Sequence, residues 1–230
     1  MQQAPAPAAS PALSPATPVA SASASAPIGA AGTRWAADAA RRDVVAKQAA
    51  RLFAERGYLG ASLRDIAAAS GVRSPTLYSH FPSKLHILIE VVNRYFDALA
   101  PRLETAARGG GNGARRLRDM LAEAAGTGVE WRDEFLATTN NWEWICTQPD
   151  LAGLVRRRDD VLALWRSVLA AGVADGSLRS MDPAATLWVI SSAINGMVDQ
   201  RYTVVDGCLS PPTATLVDIV LGGIATRRPR

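Results

Sequence analysis

From about Arg34 onward apolar residues recur at three- and four-residue steps, and no stretch keeps the two-residue alternation of a half-buried strand. An all-α fold follows. A first helix is expected over Trp35–Arg56, where Val45, Ala49, Leu52 and Phe53 form one stripe and Gly57 suits the left-handed position beyond its end. Ser62 and Asp65 make a Ser-x-x-Asp capping box that opens a short helix carrying Leu63, Ile66 and Ala67, closed by Gly71. Ser74 and Pro75 read as the cap and first-turn proline of a third helix reaching about His80. After Phe81-Pro82, Ser83 caps a longer helix with Leu85, Leu88, Ile89, Val92, Phe96 and Leu99 in step. Two short helices around one glycine therefore lie between two long ones.

The run Gly109-Gly-Gly-Asn-Gly113 reads as a flexible break, after which helices are expected near 114–127, 132–146, 150–174, 183–203 and 212–225. Pro149, Gly176, Pro183 and the Ser210-Pro211-Pro212 turn mark most of those boundaries. Residues 1–33 are almost wholly Ala, Pro and Ser without an aromatic side chain, the composition of a disordered tail. Four segments result: a tail over 1–33, a three-helix unit over 34–82, a connecting helix over 83–108 and a larger helical domain over 109–230.

Charge sharpens this division. The sequence pI is about 9.5, with a formal net charge of +4. Arg34–Arg108 holds 12 basic against 7 acidic residues, whereas Gly109–Arg230 holds 13 against 14, so the positive field sits on the first half. That permits a nucleic-acid or acidic-membrane partner without demanding one. No window offers the roughly 18 uninterrupted apolar residues of a membrane span, and Met1–Thr33 lacks the positive start of a secretory signal. Cys146 and Cys208 have no metal-ligand spacing and are too few for a disulfide framework, which fits a reducing cytoplasm. His80 and His86 lack the acid-histidine pattern of a zinc site, and neither a nucleophile elbow nor a phosphate loop is present. The expectation is a cytoplasmic non-enzyme with no cofactor and no metal.

The segment from Gly57 to Lys84, with Asp65-Ile-Ala, Gly71-Val, Leu77-Tyr78-Ser-His80-Phe81 and Ser83-Lys84 at their present spacing, resembles the signature of the TetR family of transcriptional regulators over about Asp43–Leu88. The resemblance implies that the second short helix enters a DNA major groove, which is about 12 Å wide. Thr76 and Tyr78 would then face the groove, Ser62, Ser74 and Pro75 would shape helix starts whose free backbone N–H groups meet phosphate, and Lys84 would reach a phosphate. His80 would pack and orient the helix. Arg73 would bond either a guanine edge or a phosphate, since many relatives carry a small polar residue there. Ala61 replaces a frequent threonine of the family, removing one phosphate donor. Arg41 and Arg42 read equally as phosphate contacts or as a solvated charge pair.

For the second half the resemblance implies an effector pocket and a homodimer interface. Trp131, Asn141, Trp142, Trp165 and Asn195 are the candidate ligand contacts, because apolar clefts with a few polar anchors are the usual small-molecule sites. Each tryptophan also has a plain reading as core. Leu187, Ile190, Ile194 and Val198 form one stripe and Leu216, Ile219, Val220 and Ile224 another, and together they would build a four-helix dimer interface or serve the chain's own core. The pattern Ala193-Ile-Asn195-Gly-Met-Val-Asp-Gln-Arg-Tyr202 resembles members that sense acyl-CoA thioesters. Two functions stay open: a dimeric repressor on a palindromic double-stranded operator, released by a small apolar effector, and a DNA-binding module governed by a partner protein or by abundance.

Overall fold

The computed structural model describes residues 28–199 and 213–226, with side-chain burial from residue 38 onward. Positions 1–27 of the expected tail, and 200–212 with the Ser-Pro-Pro turn, lie outside the described residues. Helix α1 runs Ile28–Gly60, so residues 28–33, expected in the tail, are helical instead. The chain's early prolines end at Pro27, and the Ala-rich stretch beyond it has nothing that breaks a helix as proline does. Gly57 interrupts α1 with φ 71° and ψ 165°, a backbone state that disfavours any side chain.

Helices α2 (Leu63–Ala69) and α3 (Ser74–His80) follow, joined by a turn in which Gly71 has φ 64°. Ser62 caps α2 as expected, and its box with Asp65 is reciprocal. Ser74 is not the cap of α3. Arg73 holds that position without a side-chain bond, and Pro75 falls one residue deeper into the first turn. Helix α4 (Lys84–Ala107), capped by Ser83, is 24 residues long, about 36 Å at 1.5 Å per residue.

The larger half comprises α5 (Gly113–Glu130), α6 (Arg132–Asn140), α7 (Trp142–Cys146), α8 (Ala152–Ala174), α9 (Pro183–Val198) and α10 (Thr213–Ile224). A 3-10 turn at Pro149–Leu151 leads into α8. The single helix expected over 132–146 is split at Asn141, whose φ of −110° and ψ of 5° leave the helical region. The glycine-rich break is anchored at its far end. The Gly113 N–H donates to Asp175 Oδ2 at 2.7 Å, and α5 approaches α8 so closely that a Cβ on Gly113 would lie 2.1 Å from Gly172 Cα.

Two apolar cores result, and α4 belongs to both. The first gathers Phe53, Ile66, Leu77, Phe81 and Leu88, but also Ala137, Ile145, Leu151 and Leu154 from α6 to α8. The three-helix unit thus leans on the second half rather than standing alone. The second core joins Leu103, Leu117, Met120 and Leu121 to Trp165, Val168 and the inner faces of α9 and α10. Those inner faces include Leu187, Ile190, Ile194, Val198, Leu216 and Ile224, all buried, with Val220 half-buried beside them. The two stripes expected to form a dimer interface therefore serve the chain's own core, because both helices turn them toward α5. Ile219 alone of that set is exposed, at 71%, and Trp188 and Val189 join it among the large exposed apolar residues at 72% and 51%.

Candidate DNA-binding surface and internal cavity

Leu77, fully buried beneath α3, and Phe81 at its end press that helix onto Ile66 and Ala67 of α2. One apolar residue per turn suffices to hold so short a helix. The opposite face is free: Arg73, Ser74, Pro75 and Tyr78 are exposed, Tyr78 by 53%, while Thr76 and His80 are half-buried. Ser62 is exposed but occupied, its hydroxyl donating to Asp65 Oδ2 at 2.6 Å and accepting from the Asp65 N–H at 3.1 Å. The Ser62 hydroxyl and backbone N–H hold the Asp65 carboxyl below the usual carboxylate range.

The basic residues divide into two groups. Arg42 bonds Glu90 Oε2 at 2.8 Å and the His80 carbonyl at 3.3 Å, with its guanidinium over the Phe81 ring, so it braces α1 against α3 and α4. Arg41 faces Asp38 at 3.7 Å. Lys84 points inward. Its Nζ donates to the Tyr58 carbonyl at 2.8 Å and the Ala61 carbonyl at 2.9 Å and sits 4.3 Å from the Tyr58 ring centroid, and burial lowers its pKa. Three donors serve an ammonium, so two of them are used within the chain. Arg73 and Arg64 are exposed and, among the described residues, form no ion pair within the 4 Å limit. Sequence reasoning passed over Arg64, although its place between Leu63 and Asp65 at the start of a capped helix could have singled it out.

A second site lies inside the larger half. A cavity of about 210 Å³ opens between α4, α6, α8 and α9, walled by Tyr95, Phe96, Phe135, Trp142, Trp165 and Ile190 among others. At roughly 30 Å³ per water in the liquid, it has room for about seven waters. Thr138, Thr139, Ser191, Asn195 and Arg158 supply its polar edge, and the lining contains no carboxylate among the described residues. The Arg158 guanidinium lies 4.8 Å from the Trp142 ring centroid, and Trp142 Nε1 is buried with no hydrogen-bond partner. Desolvation raises the pKa of the Tyr95 hydroxyl, which keeps that wall neutral.

Of the five residues expected to hold a ligand, Trp142, Trp165 and Asn195 line this cavity and Trp131 and Asn141 do not. Trp131 packs beside Arg94, whose guanidinium is 5.6 Å from its ring centroid. Asn141 turns toward α1. Leu187, Ile190 and Ile194, assigned from sequence to a dimer, are cavity wall instead. Thr138 and Thr139 have no local signature that would separate them from ordinary helix residues, whereas Arg158 is among the polar residues that the sequence offers as ligand partners.

Exposed α3, held by α2 above a basic first half and joined through α4 to a cavity-bearing helical domain, defines a helix-turn-helix DNA-binding protein with a second, internal site. Residues 46–91 match the family model described as bacterial regulatory proteins, tetR family, and residues 110–199 match the tetracyclin repressor-like C-terminal domain. The chain belongs to the TetR family of transcriptional regulators, and neither that family nor these relatives are enzymes. It is 30% identical over 142 residues to the HTH-type transcriptional repressor KstR2 of Mycolicibacterium smegmatis, covering 61% of this chain and 69% of that protein. The solved structure of the ketosteroid transcriptional regulator KstR2 of Mycobacterium tuberculosis superposes with a TM-score of 0.73 at 26% identity, over 81% of this chain and 96% of that one. AibR, solved with isovaleryl coenzyme A and operator DNA, shares the fold with a TM-score of 0.66 at 22% identity, over 80% and 97% of the two chains. No helix among the described residues is long and apolar enough to cross a membrane.

Proposed function

We propose that this regulator is a repressor that binds a palindromic operator as a homodimer and is released when a small, largely apolar ligand fills the cavity. The 210 Å³ aromatic-walled space between α4 and the bundle carries the proposal, because α4 is the element common to the cavity and the DNA-facing unit. A ligand that favours one spacing of the recognition helices shifts the population toward it, and DNA disfavours that ligand by the same factor. The cavity is smaller than the 300–1,000 Å³ typical of whole-ligand pockets. That size suits the acyl part of an acyl-CoA thioester, with the anionic remainder toward the exposed Arg158.

Within each half-site, Tyr78, Thr76 and Arg73 face the groove, and Arg64 contacts phosphate. Lys84 holds the ends of α1 and α2 together and has one donor left for a phosphate. The outer face of α9 and α10, with exposed Trp188, Val189 and Ile219, forms the two-fold contact in place of the buried stripes.

The test is fluorescence anisotropy of an operator duplex selected in vitro, titrated with acyl-CoA thioesters of increasing chain length. Release should occur over the range in which tryptophan fluorescence changes saturably. Saturable binding of every thioester without release would overturn the ligand switch and favour control by a partner protein. Sedimentation should give a dimer that Trp188→Asp with Ile219→Asp converts to monomer, and a monomeric wild type would overturn the dimer.

A further inference from the structure

We propose that Asn141 is the positioning residue that couples the cavity to the helix-turn-helix through the end of α1, a route separate from the α4 lever and resting on the ligand-release reading above. Asn141 occupies the break between α6 and α7. Thr138 and Thr139 on one side of it and Trp142 on the other all line the cavity. Its own side chain, 6% exposed, is turned away from that space. The Oδ1 accepts the Tyr58 N–H at 2.6 Å, while Nδ2 donates to the Ala137 carbonyl at 2.6 Å and the Phe53 carbonyl at 3.5 Å. Asn140 adds a bond from Nδ2 to the Ala54 carbonyl at 3.2 Å. Two consecutive amides thus grip the last turn of α1 where Gly57 breaks it.

From Tyr58 the connection runs on without a gap. The Tyr58 ring stacks on Trp144 of α7 at 4.3 Å, and its carbonyl accepts the Lys84 ammonium, which also holds the Ala61 carbonyl immediately before the Ser62 cap of α2. A buried amide is costly unless bonded, and an apolar side chain would fill such a place without needing partners. What the amide adds is a fixed register between two elements. The non-helical backbone at Asn141 makes Trp142 and α6 separable, so a ligand that turns the Trp142 ring moves the acceptor on which Tyr58 is hung. Direction follows from geometry: movement at the cavity wall is delivered to the segment that positions α2 and α3.

Reciprocity allows a test without the ligand, since whatever the cavity does to DNA binding, DNA must do to the cavity wall. The experiment is hydrogen exchange of the full chain with and without an operator duplex selected in vitro by the wild-type protein. In the wild type, DNA should slow exchange across 137–146 as well as across 62–84. Asn141→Ala should keep the protection over 62–84 at saturating duplex and lose that over 137–146 by threefold or more. Asn141→Asp, which keeps an Oδ1 acceptor for the Tyr58 N–H and removes the Nδ2 donor to the Ala137 and Phe53 carbonyls, should weaken the remote response and serves if Asn141→Ala fails to fold. A merely structural Asn141 would lower the unfolding temperature of the variant yet leave the remote response intact once DNA is bound. A full response over 137–146 in both variants overturns the Asn141 route alone. No response there in the wild type overturns this route, while the ligand-release reading, carried by α4, is decided separately by the thioester titration.

Discussion

The two halves of the molecule use their side chains in opposite ways. Around α2 and α3 the interior is closed, with Phe53, Ile66, Leu77 and Phe81 at most 1% exposed, and the polar side chains of Arg73, Tyr78 and Arg64 lie exposed outside it. Between α4 and the helices that follow it the interior is open: Tyr95, Phe135 and Trp165 are buried yet border open volume. A DNA surface is rigid, repetitive and external, so a helix of seven residues can be aimed at it by one turn and the two buried anchors Leu77 and Phe81. A ligand site needs space between helices, and space is made by tertiary packing.

If this contrast holds, equal truncations should have unequal costs. Phe81→Ala should lower the free energy of unfolding by about 3–5 kcal/mol, as for a large ring deleted from a closed core, and abolish operator binding. Trp165→Ala should cost less than about 3 kcal/mol, because one side of the indole already borders the cavity and fewer contacts are lost. Urea unfolding of both variants provides the check. Equal costs would mean that the cavity closes up in solution, and the contrast between the halves would fail.

Legibility in the sequence follows the same line. Gly57, the Ser62–Asp65 box, Gly71 and Ser83 act within a few residues of themselves, so their spacing located the boundaries from the end of α1 to the start of α4, though not the start of α1. The cap at Ser74 slipped by one residue, since Ser-Pro fits both the cap and the first turn. Lys84 was read as pointing outward because nothing local announces the Tyr58 and Ala61 carbonyls, 26 and 23 residues away. Beyond Gly113 the helices were located, apart from the break at Asn141, but not their faces. An apolar stripe such as Leu187, Ile190 and Ile194 has the same periodicity whether it faces a partner chain, a core or a cavity. Asn141 was assigned to the ligand for the same reason, as the bonds that turn it toward α1 reach back 83 and 88 residues.

A middle-sized effect separates the cations of the first half. Arg73→Ala should reduce operator affinity by about tenfold, near 1.4 kcal/mol, with the unfolding temperature unchanged, because the exposed guanidinium has no ion pair among the described residues. Lys84→Ala should weaken DNA binding and also destabilise the fold by about 1–3 kcal/mol, since two carbonyls lose a charged donor. Thermal unfolding beside anisotropy gives both readouts. A Lys84→Ala protein of wild-type stability would return that ammonium to the DNA.

The smallest effect compares two carboxylates, one in each half, whose pKa values are both lowered. Asp65 is held down by the Ser62 hydroxyl and N–H within a four-residue box. Asp175 is held down by the Ser177 hydroxyl and the N–H groups of Gly113 and Ser177, and its bond to Gly113 spans 62 residues, from α5 to the end of α8. A carboxyl whose folded pKa lies below its unfolded one takes up protons more readily when the chain unfolds. Its contribution is therefore present above the unfolded value near pH 4 and is lost as the pH falls through the lower folded value. Asp65→Asn and Asp175→Asn should both be less stable than the wild type at pH 7, and both deficits should shrink below about pH 4. Reach decides where each deficit shows. The Asp65 variant should mainly speed amide exchange at the start of α2, while the Asp175 variant should lower the midpoint of global unfolding, since it loosens the α5–α8 contact that Gly113 and Gly172 bring to backbone distance. If Asp175→Asn leaves the unfolding midpoint unchanged between pH 3 and 7, the carboxylate is not what ties the start of α5 to α8, and the backbone contact of the two glycines must hold that junction by itself.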